Sequence, residues 1–233
     1  MLLVVFGGSR SLGAEWSPLV ARVVAGVPSS ARVSVGCAVG ADAAVLSSLV
    51  AAGAASRVVV FAAGAASGAG FWRCSALAGV RAAGTAGAAV RWLAGGSLSV
   101  PLVSRLAARS RASVQGAAVA VFFLSSAASR GSLGAARAAL SAGGRVVVFA
   151  CGFSPASLPA LVPGAGSWLP VASGALVGGW AWVPFCGCTH APDASRPWGF
   201  RIRTCSAHRG GEEKKDAGTP YRIFNPQQLP ATF

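Results

Sequence analysis

Acidic residues are the scarcest feature of this sequence. The 233-residue chain contains 6 Asp and Glu against 20 Lys and Arg, which gives a formal net charge of +14 at pH 7. Only Glu15 and Asp42 precede Asp193. Such a basic chain favours polyanionic partners, because arginine contacts with phosphate release counterions. Nucleic acid or a nucleotide is therefore the expected partner. The alternative, codon drift toward Ala, Gly and Arg, does not explain the shortage of acids.

The sequence also lacks a targeting or membrane-spanning pattern. The apolar run from Leu2 to Phe6 has no basic region before it, and Arg10 follows soon after, which is typical of a first strand rather than a signal peptide. Residues 146–192 contain no Asp, Glu, Lys or Arg, but prolines interrupt them repeatedly. No span of about 20 residues is left that would cross a bilayer. We therefore expect a cytoplasmic protein without a membrane partner.

Apolar runs alternate with helix-like segments over the first 150 residues. Strands are predicted at residues 2–6, 32–35, 57–61, 88–93, 117–124 and 145–150. The run from Ala117 to Leu124 is typical of a strand buried on both faces. Ser17-Pro18 and Pro101 each predict the start of a helix. The alternation predicts an α/β fold: a Rossmann-like, doubly wound, mainly parallel sheet.

Glycine, serine and arginine cluster in the loops that follow these strands. Such loops lie at the carboxyl edge of a parallel sheet, where ligands bind, and a helix start there offers N–H groups to anions. The helix after Pro101 adds arginines with no acidic neighbour in sequence. The predicted phosphate-binding residues are Gly7, Gly8, Ser9, Arg10, Gly40, Arg105, Arg109, Arg111, Ser129, Arg130, Gly131 and Ser132. The alternatives are tight turns at the glycines and an ordinary solvated helix face at the arginines.

Other residues at these loops have structural interpretations. Asp42 falls in the first turn of a predicted helix, where a carboxylate stabilises the helix dipole. Trp72, Trp92 and Trp168 present flat aromatic surfaces on which bases stack. Packing against the sheet is the preferred interpretation for all three tryptophans.

The order of these motifs resembles that of the DNA-processing protein A (DprA) family and the wider SLOG superfamily, which includes the LOG phosphoribohydrolases. Gly7-Gly8-Ser9-Arg10 resembles the "GSR" of DprA proteins, and residues 36–44 resemble "SGxAxGIDaxAH". Residues 101–116 are similar to "FPxRNRxIAGLS". Residues 129–136 and 144–152 are similar to "SGSLxTAxxAxxxGRxVfAxPG". The resemblance implies a Rossmann-like domain that binds single-stranded nucleic acid.

The sequence departs from both groups of proteins. Leu46 stands where the DprA segment has its His, which weakens the match to DprA, and the LOG signature "PGGxGTxxE" is absent, which weakens the match to the LOG enzymes. Hydrolysis of a glycosidic bond needs a carboxylic acid, and residues 129–136 contain none. Binding of single-stranded nucleic acid is the first hypothesis. The alternative is a SLOG-type nucleotide sensor or a LOG-like nucleotide-processing enzyme, and the sequence leaves open whether any reaction is catalysed.

The composition changes after Ala191. Both Lys, both Ile, the only Tyr and the only Asn lie between Ile202 and Asn225. We expect a Rossmann-like domain at residues 1–152, a Pro/Gly/Trp-rich extension packing on it at 153–191, and a basic, polar C-terminal tail at 192–233. Few charges keep apolar surfaces apart, and DprA-like domains commonly self-associate, so a homo-oligomer is expected.

Cysteine and histidine cluster where the composition changes. Both histidines of the chain belong to this group, which consists of Cys186, Cys188, His190, Cys205 and His208. Thiolates and imidazoles in C-x-C-x-H and C-x-x-H spacing form a tetrahedral ligand set for a structural zinc ion. The spacing differs from a standard zinc finger, and a chance cluster of inert thiols is the alternative.

If residues 186–208 bind zinc, elemental analysis of protein purified without chelator finds about one equivalent of the metal. EDTA then lowers the melting temperature, because the bound metal stabilises the folded state. Metal-free protein with the same stability in EDTA would exclude this site.

Overall fold

A computed structural model describes residues 1–65, 67–69, 74–93 and 100–185. Its strands and helices in chain order are β1 (Leu3–Gly8), α1 (Ser17–Ala25), β2 (Arg32–Val35), α2 (Ala41–Ala51), β3 (Val58–Ala62), α3 (Cys74–Thr85), β4 (Ala89–Trp92), α4 (Leu102–Val114), β5 (Val119–Leu124), α5 (Arg130–Ser141), β6 (Arg145–Ala150), β7 (Gly166–Pro170) and β8 (Trp180–Pro184). The strands predicted in the first 150 residues are present, with ends within two residues of the expected ones. No helix in the described ranges is long and apolar enough to cross a membrane.

The strands form one eight-stranded sheet in the order β4-β3-β2-β1-β5-β6-β8-β7. From β4 to β6 all neighbours are parallel, whereas β8 pairs antiparallel with both β6 and β7. The buried residues of α1, α2 and α3 belong to the core on one face, and those of α5 to the core on the other. The prediction of a Rossmann-like, doubly wound, mainly parallel sheet is therefore confirmed.

Alternating strand residues fill the two cores. In β1, Phe6 belongs to the core under α1 to α3, and its neighbour Val5 to the core under α5. Three phenylalanines of adjacent strands stack in the first core. The ring of Phe123 lies 6.4 Å from that of Phe6 and 5.2 Å from that of Phe149. This aromatic row fixes β1, β5 and β6 as the centre of the sheet, because stacked rings exclude water over a large area.

The extension after residue 152 adds to both faces of this centre. Leu158, Leu161 and Trp182 join the core under α5, whereas Leu176 joins the opposite core beside α1. Its strands β7 and β8 were not predicted. Each is short and ends in proline, and proline is tolerated in strands only at edges and ends, so it argues against a strand in a sequence-based prediction.

The order of the strands creates a topological switch between β1 and β5. The chain leaves β1 toward α1 on one face and leaves β5 toward α5 on the other. The two loops therefore diverge at the carboxyl edge of the sheet, the edge at which β1, β2, β3, β5 and β6 end. Open α/β sheets bind ligands in the crevice that such a divergence leaves.

Leu176 and Val177 provide a test of the extension's packing. Leu176 is 3% exposed and its neighbour Val177 is 38% exposed. Leu176→Ala should lower the free energy of unfolding by about 2–5 kcal/mol, because it leaves a cavity in the core. Val177→Ala should change it by only about 0.5 kcal/mol.

Urea denaturation of both variants measures the difference. Arg22 donates a hydrogen bond to the backbone oxygen of Val177, which both substitutions retain. Equal losses would show that Leu176 does not belong to the core.

Candidate functional site

Four serines meet in the crevice between the β1 and β5 loops. The hydroxyl of Ser9 lies 2.7 Å from that of Ser129, and it accepts a hydrogen bond from the Ser125 N–H at 2.9 Å. The hydroxyls of Ser11 and Ser125 lie 2.8 Å apart. Ser9 is only 5% exposed, whereas Ser11 is exposed and Ser125 and Ser129 are partly buried. We call this group the serine cluster: Ser9, Ser11, Ser125 and Ser129.

The backbone of Ser9 is held as firmly as its side chain. Its N–H donates to the Phe123 carbonyl at 2.8 Å, and its own carbonyl accepts from the Ala41 N–H at 3.1 Å. Gly8 and Gly40 allow this close approach. A Cβ at Gly8 would overlap the Phe123 carbonyl, and Gly40 has φ of 75° with the Ser9 carbonyl 2.5 Å from the Cβ position. Both glycines thus have a packing role, whatever they contact in a ligand.

The two helix starts at this edge differ in how their N–H groups are used. At α2, the Ala41 N–H donates to Ser9 and the Ala38 N–H just before the helix donates to Asp42 Oδ2 at 3.0 Å. At α5, Ser129 occupies the N-cap but makes no side-chain capping bond, since its hydroxyl contacts Ser9 instead. The Arg130 N–H donates to the Ala128 carbonyl at 2.7 Å, so the first-turn N–H groups of α5 without a hydroxyl cap are those of Gly131 and Ser132. Uncapped N–H groups at a helix start are suited to binding anions.

Exposed arginines flank this helix start. Arg10 follows Ser9 in the β1 loop, and Arg130 is the first residue of α5; both are exposed. Gly131, next to Arg130, is also exposed, and a Cβ there would meet no described residue within 4 Å. Packing therefore does not require glycine at this position. The predicted residues Ser9, Arg10, Ser129, Arg130, Gly131 and Ser132 are brought together at one edge of the sheet by β1, β5 and α5.

The arginines of α4 are not all exposed, as a solvated or ligand-binding helix face would require. Arg109 is 8% exposed and Asp42 is 3% exposed, and Arg109 Nη1 lies 3.2 Å from Asp42 Oδ2. No acid lies near this helix face in sequence, but Asp42 opposes the charge of Arg109 in the fold, so the expectation of an unopposed positive field is wrong at Arg109. Asp42 lies 67 positions away in sequence and reaches Arg109 only because the sheet brings the start of α2 beside α4.

The lack of a side chain at Gly36 leaves space for this ion pair. Gly36 follows β2, and a Cβ there would overlap both Arg109 Nη1 and Asp42 Oδ2. Burial raises the pKa of Asp42, while the charge of Arg109 and the Ala38 N–H act to lower it. We take the pair as ionised, since it combines opposite charges with a backbone donor on the carboxylate.

Arg105 is also turned inward, as the i, i+4 spacing with Arg109 requires. It is 9% exposed, and it donates to the Val100 and Ala63 carbonyls, each at 3.1 Å. Arg111 is exposed, because it lies about 200° around the helix from Arg109. The three arginines thus do not form one basic surface: two contact the protein, and one faces solvent.

The three tryptophans and the predicted zinc ligands were also assigned roles from the sequence. Trp168 donates to the Pro159 carbonyl at 3.0 Å and packs edge-on against Trp182, so its packing role is confirmed. Trp92 is partly buried against the core. Trp72 and the zinc-site residues Cys186, Cys188, His190, Cys205 and His208 lie outside the described residues. Within the described ranges, no group of three or more His, Cys, Asp or Glu side chains is placed to hold a metal.

No protein-family model and no curated protein sequence matches the chain. Solved structures do match its fold. DNA processing protein A (DprA) from Streptococcus pneumoniae aligns with a TM-score of 0.53 and 19% identity over 68% of this chain and 53% of that one. DNA processing protein A from Helicobacter pylori, studied for its single-stranded DNA binding mode, aligns with a TM-score of 0.50 and 14% identity. That alignment covers 64% of this chain and 65% of the other.

The chain therefore has a DprA-like fold and spans between 53% and 65% of the length of these two structures. The resemblance inferred from the motif order is confirmed at the level of the fold.

The ion pair over β2 leads to a stability prediction. Arg109→Ala should lower the free energy of unfolding by about 3–5 kcal/mol, because it leaves the Asp42 carboxylate buried without its partner. Arg111→Ala, two positions away on the exposed face of the same helix, should change it by about 0.5 kcal/mol or less. Chemical denaturation of both variants at neutral pH makes the comparison. An Arg109→Ala protein as stable as the Arg111→Ala protein would contradict a structural role for the pair.

Proposed function

We propose that this protein binds single-stranded nucleic acid at the carboxyl edge of its sheet, with a phosphate at the start of α5. The observation that carries the proposal is the contact between Ser129 and Ser9. It leaves the first turn of α5 without a side-chain cap, in a crevice flanked by Arg10 and Arg130. A phosphate there accepts hydrogen bonds from backbone N–H groups and from the guanidinium groups.

Charge supports a polymeric ligand. The net charge of +14 greatly exceeds what a single phosphate needs, and polymer binding gains from the release of counterions at each contact. The DNA processing protein A of Helicobacter pylori binds single-stranded DNA, and this chain shares its fold. By analogy with that protein, the proposed ligand is single-stranded DNA. The proposed contacts are those that the structure offers in this chain, at Arg10, Arg130 and the start of α5.

Open space at Gly131 supports close approach of a ligand backbone. Glycine within a helix costs about 1 kcal/mol relative to alanine, and none of the described residues lies within 4 Å of the Cβ position of Gly131. A ligand that touches the first turn of α5 gives this position a reason to lack a side chain.

A mononucleotide is the second candidate ligand, and the inward position of two arginines favours it. Arg105 and Arg109 contact protein groups, so fewer cationic side chains face the crevice than the sequence suggested. A single phosphorylated ligand needs few such contacts. This candidate corresponds to a nucleotide-sensing function, and it uses the same serine cluster and α5 start.

Salt dependence tests the polymer proposal directly. Each phosphate contact to single-stranded nucleic acid contributes about −0.7 to the slope of log affinity against log salt. Replacing Arg10 and Arg130 together with Gln should therefore reduce the slope for oligo(dT) by about 1.4 units. Arg32→Gln is the matched control, since Arg32 is exposed and begins β2 at the opposite edge of the sheet; it should leave the slope as in the parent.

Fluorescence anisotropy over a range of salt concentrations provides the slopes. An Arg10/Arg130 variant with the parent's slope would move the site away from this crevice. If oligo(dT) fails to bind and a nucleoside monophosphate instead raises the melting temperature, the mononucleotide is the ligand.

A further inference from the structure

Glu15 is an acid at an edge where we propose that phosphate binds. It lies in a short 3-10 helix, Ala14–Trp16, that follows the β1 loop, five positions after Arg10. Burial, and then the charge of Glu15, raise the pKa of Cys151 to about 12. Cys151 directly follows β6. The short helix that carries Glu15 lies at this end of β6, because Cζ2 of the neighbouring Trp16 is 4.0 Å from the Cβ position of Gly152.

The Glu15 side chain is exposed, and it forms no ion pair with a described residue. Among the described residues the only ion pair is that of Arg109 with Asp42, although arginines far outnumber acids. Gly13 provides space for the carboxylate, since a Cβ there would overlap both carboxylate oxygens. With Asp42 buried in its ion pair, Glu15 is the acid of residues 1–185 that remains for contact with a ligand.

A carboxylate repels phosphate and accepts hydrogen bonds from N–H groups. It therefore suits the base of a nucleotide rather than its backbone, and bases of a single strand expose their Watson–Crick edges. Guanine presents two adjacent donors on that edge, N1–H and the N2 amino group, which match the two oxygens of a carboxylate. Adenine, cytosine and thymine each place an acceptor next to their donor, and that acceptor faces the second oxygen unfavourably.

We propose that Glu15 is the base-recognition residue of the crevice and that it accepts hydrogen bonds from N1–H and N2–H of guanine. This inference rests on the proposed binding of single-stranded nucleic acid. Phosphate contacts the Arg10 and Arg130 side of the crevice, and the base is directed toward the end of β6. The arrangement separates the anionic part of the ligand from Glu15, the exposed acid among residues 1–185.

The test compares short oligo(dT) strands that carry one central guanine, inosine or thymine. Inosine lacks the N2 amino group, so it removes one of the two donors. The parent protein should bind the guanine strand about tenfold more tightly than the thymine strand, with inosine between them, as for a bidentate base contact. In Glu15→Gln the carboxamide replaces one acceptor by a donor, and the preference should fall below about twofold.

Two further variants separate recognition from general effects of charge and folding. Gly13→Ala retains the charge of Glu15 but displaces its carboxylate, and the backbone at Gly13, with φ of −76° and ψ of 162°, accommodates alanine; the guanine preference should fall here too. Ser141→Lys adds the same unit of positive charge as Glu15→Gln, at the exposed end of α5 away from the crevice. It should keep the parent's preference.

The outcomes distinguish this inference from the proposed function. If the parent binds none of the strands, the proposed function fails and this inference fails with it. If the parent binds them with no preference for guanine, or if Glu15→Gln keeps the preference, the inference is overturned while the proposed function stands. Loss of preference in Glu15→Gln and Gly13→Ala, with its retention in Ser141→Lys, supports the assignment.

Discussion

The ion pair between Arg109 and Asp42 joins the two helical layers across the carboxyl end of β2, and the shape of the whole edge depends on it. Asp42 belongs to the first turn of α2, whose Ala41 N–H holds the Ser9 carbonyl. Ser9 in turn contacts Ser129 at the start of α5. A continuous path of polar contacts therefore runs from α4 through α2 and the β1 loop to α5. It begins at Arg109, and Asp42 is the only acid buried in the described part of the chain.

This path assigns different tasks to the two helix starts at the edge. At the start of α2, the Ala41 N–H donates to the Ser9 carbonyl, so this helix start holds the β1 loop in place. The start of α5 has no hydroxyl cap, because Ser129 contacts Ser9 instead, and we propose that an anion binds there. Buried polar groups need partners within the protein, and that requirement separates the structural arginines, Arg105 and Arg109, from the exposed arginines, Arg10 and Arg130.

Local sequence patterns were sufficient to predict the parallel part of the sheet. The strands β5 and β6 are continuous apolar runs, and each loop after a strand of the ligand edge carries glycine or serine. Those features depend on neighbours within a few residues. The serine cluster was partly predicted for the same reason, because Ser9 and Ser129 each follow a predicted strand, although nothing in the sequence indicates that their hydroxyls meet.

Contacts between distant segments could not be predicted in this way. Arg109 pairs with an acid that lies 67 positions away in sequence. From the sequence alone, a helix face whose arginines pair with such a distant acid looks the same as a face exposed to solvent. The glycine at position 36, which has no side chain to block the pair, was a signal that could have been used. From the sequence, Glu15 was identified only as one of the few acidic residues. Its position near β6 follows from the order of the strands in the sheet, which the sequence does not reveal. The hairpin of β7 and β8 was not predicted, because each of its strands ends in proline.

We propose that the carboxyl edge of the sheet is the surface that contacts the ligand. Photocrosslinking with an oligonucleotide that contains 4-thiothymidine, followed by tryptic digestion and mass spectrometry, tests it most directly. The account predicts crosslinks in the peptides of residues 11–22 and 112–130, which carry the β1 and β5 loops. Crosslinks confined to residues 23–32 and 138–145, which lie at the opposite edge, would contradict it.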